Sequence, residues 1–294
     1  MKKAAWIILT GALAAGCAEK GISDGSSALS PGISSSFFMT KPQPTEPVVL
    51  VFDKKYAGPK AVNYRKSEAL KMSGSATLDP KAMKQIAKPV KKEKNALFVF
   101  DLRQESHGLI NDIPVTWQAD RDWANAGLNH EEAVRRERRQ LGDLRVGESI
   151  DGVKIKSIET EESMVRSSGH QYVRLTVTDH VRPTDSEVDL FIEAVRALPE
   201  RAWVHFHCRA GKGRTTTFMV LYDMLVNARV DSFEAIVDRN TKLSDDYDVL
   251  TVGAPSDWKH IYQKERAAFV SEFYNYAKAH PRGENKLWSE WVSR

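Results

Sequence analysis

A buried-strand pattern, Trp203-Val204-His205-Phe206, runs into the loop His207-Cys208-Arg209-Ala210-Gly211-Lys212-Gly213-Arg214-Thr215, and a helix pattern follows from Thr215 to Asn227. No other stretch limits the possible folds so much. The helix places Phe218, Leu221, Met224 and Leu225 on one face, so it must pack against a core. A strand, a glycine-bearing loop and a helix in that order gather backbone N–H groups at a helix N-terminus, where an anion is held best.

The rest of the chain supplies more strands and helices for the same frame. Leu97-Phe98-Val99-Phe100 reads as a second buried strand, ending at Asp101-Leu102-Arg103, and Tyr172 to Val177 as a third. Asp79 to Ala87 is predicted as a short helix capped by Asp79 with Pro80 in its first turn. Residues 131–142 are predicted as an exposed helix, and further helices are expected over Asp185–Leu198 and Ala267–Ala279. Between residues 143 and 177, scattered Val and Ile among Gly and charged residues suggest small antiparallel strands. Strands alternating with helices argue for an α/β core.

Each position of the loop has a chemical reason. A thiolate is a nucleophile where a thiol is not, and a helix N-terminus and a nearby guanidinium both favour the anion. Cys208 is the candidate nucleophile. Gly211 and Gly213 let the backbone curl so that successive N–H groups, with those of Arg209, Ala210 and Lys212, point inward. Arg214, six residues after Cys208, can return across the loop and grip phosphoryl oxygens with its planar fork. Thr215 can place a hydroxyl near the sulfur and stabilise it as a leaving thiolate. An inert buried thiol is the alternative reading, and His207, the glycines and Arg214 together argue against it. A phosphate ester also needs its leaving oxygen protonated. Asp179, in Thr178-Asp179-His180-Val181-Arg182-Pro183, is the candidate acid; Asp185 competes but stands where a helix cap belongs.

The Cys and Arg separated by five residues resemble the signature of the protein tyrosine phosphatase superfamily. Many relatives carry Trp beside the Pro of the acid loop, where this chain has Arg182. The two added cations, Arg209 and Lys212, make the loop similar to that of phosphoinositide phosphatases acting on ring phosphates. Phe100-Asp101-Leu102-Arg103-Gln104-Glu105-Ser106-His107-Gly108, Asn111, Asp122-Trp123-Ala124-Asn125, Asn63-Tyr64-Arg65, Asp179-His180-Val181, and the run from Trp258-Lys259 through Phe273-Tyr274 to Trp288 look like the tyrosine-phosphatase-like phytases of bacteria. The resemblance covers about residues 47–294. It implies a tyrosine-phosphatase-like core, a central sheet flanked by helices, with a small inserted β-barrel near residues 130–172 that continues from or packs with 47–60. It implies stepwise, metal-independent hydrolysis of inositol hexakisphosphate, with no cofactor. It implies substrate-binding roles for Arg65, Lys259 and Lys264 and places His180, Asp101 and His107 close to the site. A protein tyrosine phosphatase would use the same catalytic residues, and a non-catalytic inositol-phosphate sensor would keep the basic pocket; the intact Cys208, Arg214 and Asp179 argue against the sensor.

The chain has 294 residues, 41% hydrophobic and 28% charged, with a net charge of +4 of which Lys2 and Lys3 supply two. There is no global basic field, so bulk nucleic-acid binding is not expected. The eight histidines are dispersed without zinc-site spacing. Lys2 and Lys3, the apolar run Ala4–Ala15 and then Leu13-Ala14-Ala15-Gly16-Cys17 resemble a bacterial lipoprotein signal. That resemblance implies a signal peptide over 1–16, acylation of Cys17, a flexible tether over 17–46 and the domain over 47–294, exported and held at the cell envelope on the periplasmic side or in the outer membrane. Ala18 after the Cys, rather than Asp, favours the outer membrane. Acyl chains anchor through buried carbons worth about 0.8 kcal/mol per CH₂.

Overall fold

The strand before the Cys loop is the centre of a five-stranded sheet. The structure, a computed structural model, describes residues 39–93 and 95–293; the expected signal peptide, Cys17 and most of the tether lie outside these. In chain order the strands are β1 (Val49–Phe52), β2 (Arg65–Ser67), β3 (Met72–Ser75), β4 (Ala96–Asp101), β5 (His107–Ile110), β6 (Ile113–Gln118), β7 (Ser149–Ile150), β8 (Val153–Lys154), β9 (Ile158–Glu159), β10 (Gln171–Arg174) and β11 (Ala202–His207). The helices are α1 (Pro80–Lys92), α2 (His130–Asp143), α3 (Glu161–Ser167), α4 (Asp185–Arg196), α5 (Gly213–Asn227), α6 (Phe233–Leu243), α7 (His260–Ala279) and α8 (Trp288–Val292).

The main sheet has the order β10-β4-β11-β3-β2. Its first four strands are parallel and β2 is antiparallel at the edge. Every residue of β11 is buried, because helices cover both faces. On one face Phe206 packs with Phe100, Phe191 and Phe218, the last two 5.1 Å apart edge to face. There α4 and α5 lie on the sheet, with α7 and α8 packed beyond them. On the other, Met83, Ile86 and Val90 of α1 meet Leu97, Val99 and Trp203, together with Met164 of α3. Each large apolar side chain removed from water here contributes roughly 1.5–3 kcal/mol. Buried on nearly every side, α5 can hold its N-terminus rigidly under the loop.

A second sheet, all antiparallel, has the order β1-β6-β5-β9. Its strands come from 49–52, 107–118 and 158–159, so the segment 130–172, expected to form a barrel insertion, contributes one of them and otherwise forms α2, α3 and the β7–β8 hairpin. The reason is the local signal: Asn129 and Glu132 make a reciprocal capping box that starts α2, and Thr160 caps α3 through Ser163 N at 3.1 Å. The expected tether also ends earlier than residue 46. Pro42 is buried, Met39 packs against Trp123, Val181 and Tyr262, and Thr40 N donates to Glu265 at 3.0 Å. The helix predicted over 79–87 starts as expected, with Ala82 N donating to Asp79 at 2.6 Å, but continues through Pro89 to Lys92. The strand predicted to reach Val177 stops at Arg174. The helix expected over 267–279 begins about two turns earlier, at His260.

Candidate active site

Cys208 lies at the carboxyl end of the central strand, where ligands bind in open α/β sheets, at a cavity of 380 Å³. Thr215 Oγ1 donates to Cys208 Sγ at 3.2 Å. The loop curls through Gly211 at φ +72°, which brings its backbone against β3: an added Cβ would lie 2.3 Å from Ala76 N. The loop is held from outside as well. Arg65 Nη1 donates to Gly211 O at 2.6 Å, Asn63 Nδ2 to Ala210 O at 2.8 Å, and Thr77 N to Arg209 O at 3.2 Å.

Arg214 is buried and its outer edge is occupied. Nη1 and Nη2 donate to the two oxygens of Glu105 at 2.6 and 2.9 Å, and Nη1 also reaches Val177 O at 3.1 Å. Nε lies 3.2 Å from Asp179 Oδ1 without forming a hydrogen bond. The fork left for a phosphoryl group is therefore the Nε edge. Glu105 is itself buried and accepts from Arg103 Nε at 2.9 Å. Burial alone would raise its pKa, but Arg214 and Arg103 overcome that and hold the carboxyl well below the usual range. Arg103 donates on to Thr77 and Thr116 at 3.1 and 2.7 Å.

Asp179 lines the same cavity. Its backbone is pinned by Trp123 Nε1, which donates to Asp179 O at 2.9 Å, and its carboxylate accepts from His180 N at 3.0 Å. His180 adopts φ +66° and meets Trp258 edge to face at 5.0 Å. Burial first, then Lys259 and Arg214, push the His180 imidazole down, against the pull of Asp179. Arg182, standing where relatives carry Trp, is buried and donates to Pro183 O and Asp185 at 2.9 and 3.0 Å. Asp185 also accepts from Trp288 Nε1 at 2.8 Å, so the competing carboxylate is tied to the helix layer rather than the cavity.

Several residues expected to touch substrate are held by other protein groups; Arg209 lines the cavity, but most of its N–H groups are already engaged. Arg209 is nearly buried by its partners: Nε and Nη2 donate to Asp53 at 3.0 and 2.8 Å, Nη1 to Asp122 at 2.5 Å and Nη2 to Gln118 at 2.8 Å. It bolts the loop to the second sheet. Arg65 is spent likewise, bonding Asn63 O, Ser244 and Thr216 at 2.9–3.0 Å besides Gly211; burial lowers it to about 10. Lys264 is exposed and does not line the cavity. Helical spacing decides this: Lys259 and Gln263, four apart, share the face of α7 that does. Asp101 and His107 lie in a buried network. Asp101 accepts from Arg174 at 2.7 Å and Tyr172 OH at 2.6 Å, and lies 3.0 Å from His107 Nε2. His107 Nδ1 is 2.9 Å from Glu105 O. Burial would raise the Asp101 carboxyl, but Arg174 and His107 hold it well below its ordinary range. His207 is buried behind the loop with Nε2 2.6 Å from Glu161. Asp101, Glu161 and His207 bring three ligand-type atoms within 4.8 Å, but Arg174 and His107 already neutralise Asp101. That fits bound protein cations better than a metal ion.

Asp53, Glu105 and Asp122 were not among the expected site residues. Asp122 lines the cavity; burial, then the Glu105 carboxylate, push it up to about 6, with Arg209 opposing. Their pairings with the phosphate loop are long-range, 156 residues for Asp53 with Arg209, 87 for Asp122 with Arg209 and 109 for Glu105 with Arg214, so local spacing does not show them.

This strand, phosphate loop and helix, with the Arg–Glu pair behind it, define a cysteine phosphatase of the tyrosine-phosphatase type. The family model for tyrosine-phosphatase-like phytases, described as "Inositol hexakisphosphate", matches residues 128–226. A tyrosine-phosphatase-like phytase from Bdellovibrio bacteriovorus is 78% identical, with a TM-score of 0.86 over 88% of this chain and 99% of that one. The tyrosine-phosphatase-like myo-inositol phosphatase from Mitsuokella multacida, solved with myo-inositol-(1,3,4,5)-tetrakisphosphate, is 31% identical, with a TM-score of 0.77 over 87% of this chain and 50% of that one. The effector protein hopD2 of Pseudomonas syringae pv. tomato is 34% identical over 216 residues, 67% of this chain, which spans 46% of that protein's length. The chain belongs to the tyrosine-phosphatase-like phytase family.

Proposed function

We propose that this protein hydrolyses phosphate monoesters of inositol hexakisphosphate and lower inositol phosphates through a cysteinyl-phosphate. The observation that carries the chemistry is the meeting of Cys208, Arg214 and Asp179 at one cavity rimmed by lysines. Cys208 thiolate attacks phosphorus, forming the S–P bond as the P–O bond to the ring breaks. The Nε edge of Arg214 and the loop N–H groups hold the equatorial oxygens. Asp179 gives its proton to the departing ring oxygen. Water then attacks phosphorus, the Asp179 carboxylate takes its proton, and the S–P bond breaks. Thr215, already donating to Sγ, stabilises the thiolate as it leaves, and inorganic phosphate is released.

The substrate class rests on the family relationship and on the cationic rim. Each phosphate monoester carries about −1.5 to −2 at neutral pH, and lysines at the mouth suit a substrate bearing several. Phosphate release from inositol hexakisphosphate, measured with EDTA beside a phosphotyrosine peptide, tests the reading. Release from the inositol substrate that disappears in Cys208→Ser is expected. Release from the peptide alone would move the function to protein dephosphorylation, and binding without turnover would make the protein a sensor. Asp179→Asn should cost more with ring alkoxides than with an activated aryl phosphate; equal losses would remove its role as acid.

The export reading of residues 1–17 supports a lipid-anchored envelope protein acting outside the cytoplasm. Cys17→Ser should move the protein from the membrane fraction to the soluble one, and an unchanged distribution would refute the anchor.

A further inference from the structure

A polyphosphorylated ring brings several dianions into the cavity at once, and the cations able to meet them are fewer than the sequence suggests. Arg214 and the loop amides serve the phosphate under attack. Arg209 commits four of its five N–H groups to Asp53, Asp122 and Gln118, and Arg65 four of its five to Gly211, Asn63, Ser244 and Thr216. Arg266 donates to Val249 O and Tyr247 OH at 3.0 and 3.3 Å. Among the described lining residues, Lys55, Lys212 and Lys259 remain as side-chain cations with exposed or half-exposed positions.

Lys55 comes from an unexpected place. It sits on a short 3-10 turn, Lys54–Tyr56, that follows β1 of the second sheet. That turn is registered to the phosphate loop through one side chain. Asp53 N donates to Pro114 O at 2.8 Å, and Tyr56 N to Asp53 O at 2.9 Å. The Asp53 carboxylate accepts from Arg209 and from Thr116. Arg209 follows Cys208 directly, so the position of the turn and the position of the nucleophile are set by the same ion pair. Within the turn, Lys55 Nζ stands 4.8 Å over the Tyr56 ring, which orients the ammonium.

We propose that Lys55, oriented by Tyr56, forms a subsite for a phosphate group of the substrate other than the one being cleaved, so that the second sheet reads how many phosphates the ring carries. This rests on the reading of the protein as an inositol polyphosphate phosphatase. Lys55 is a specificity-determining residue in it: it favours substrates with a second phosphate and offers nothing to a simple monoester.

The test compares kcat/KM for inositol hexakisphosphate with that for p-nitrophenyl phosphate in the parent, Lys55→Ala, Lys55→Arg and the control Lys54→Ala. In Lys55→Ala the ratio should fall on the order of tenfold, the size of one charge-assisted contact, and the loss should appear in KM rather than kcat. Lys55→Arg should restore most of it. The difference between parent and Lys55→Ala should shrink as salt rises, because exposed charges are screened over about 10 Å at 0.1 M. Lys54, exposed and outside the cavity lining, should leave the ratio unchanged when replaced. An unaltered ratio in Lys55→Ala with an active parent would overturn the subsite alone. A parent that turns over the aryl phosphate but not the inositol substrate would overturn the functional reading, and the subsite with it.

Discussion

Gly211→Ala places one methyl group where the phosphate loop touches its own sheet. Gly211 sits at φ +72°, and a Cβ there would lie 2.3 Å from Ala76 N and 2.4 Å from the Ser75 carbonyl carbon. The left-handed conformation costs an L-residue roughly 1–2 kcal/mol. The strand side cannot yield, because Ser75 is paired with His207 in the sheet and Ala76 N donates to Val62 O at 2.9 Å. The loop must therefore withdraw by about 1 Å to approach a normal contact distance, and overpacking of this kind costs about 1–3 kcal/mol. Together these come to about 2–5 kcal/mol, or a fall in Tm of about 5–15 °C for a domain of this size. The same displacement moves Cys208 and the loop amides relative to Arg214, and a shift of about 1 Å in a reacting group costs on the order of 100-fold. Thermal unfolding and turnover of p-nitrophenyl phosphate, measured side by side, check both. A variant with a Tm within about 1 °C of the parent and turnover within about threefold would show that the loop is not wedged against β3, and the account of its geometry would fail.

Glu105→Gln should destabilise the protein by about 3–5 kcal/mol, because it leaves two buried guanidinium groups short of a charge, and should lower kcat on aryl and inositol substrates alike; chemical denaturation and steady-state kinetics would expose an unperturbed variant, which would refute the bracing role. Asp122→Asn should grow more stable relative to the parent as pH rises. A carboxyl raised in the fold from about 3.8 to about 6 contributes stability below its unfolded value, and this is lost as pH climbs through the folded one. The gap should open between pH 4 and 6 by up to about 3 kcal/mol and stay level above; a pH-independent difference in Tm would count against the burial of that charge.

The catalytic core was legible because its signals are local. A buried strand, a glycine loop and a helix are neighbours in the chain, so residues 203–227 carry both the element boundaries and the order of the chemical groups. Cys208, Thr215 and Arg214 end up together because the loop between them is too short to separate them. Asp179 was readable for a similar reason, as a short loop between a strand and a helix start. Capping residues such as Asp79 marked helix starts, whereas the continuation of α1 through Pro89 depended on the packing of Met83, Ile86 and Val90 under the main sheet.

Local sequence is therefore enough to place Cys208, its loop and the alternating strands and helices, since each depends on residues within one turn or one strand of each other. Tertiary structure alone decided which charges stay free to meet a substrate. Arg209 and Arg65 read as substrate cations in sequence, yet Asp53, 156 residues from Arg209, and Gly211, 146 residues from Arg65, turn them into braces. Lys264 faces away because α7 begins at His260 and its helical phase points Lys259 and Gln263 inward. A charge is neutralised by whatever lies within a few ångströms in space, and that neighbour is set by how the two sheets and the helices pack.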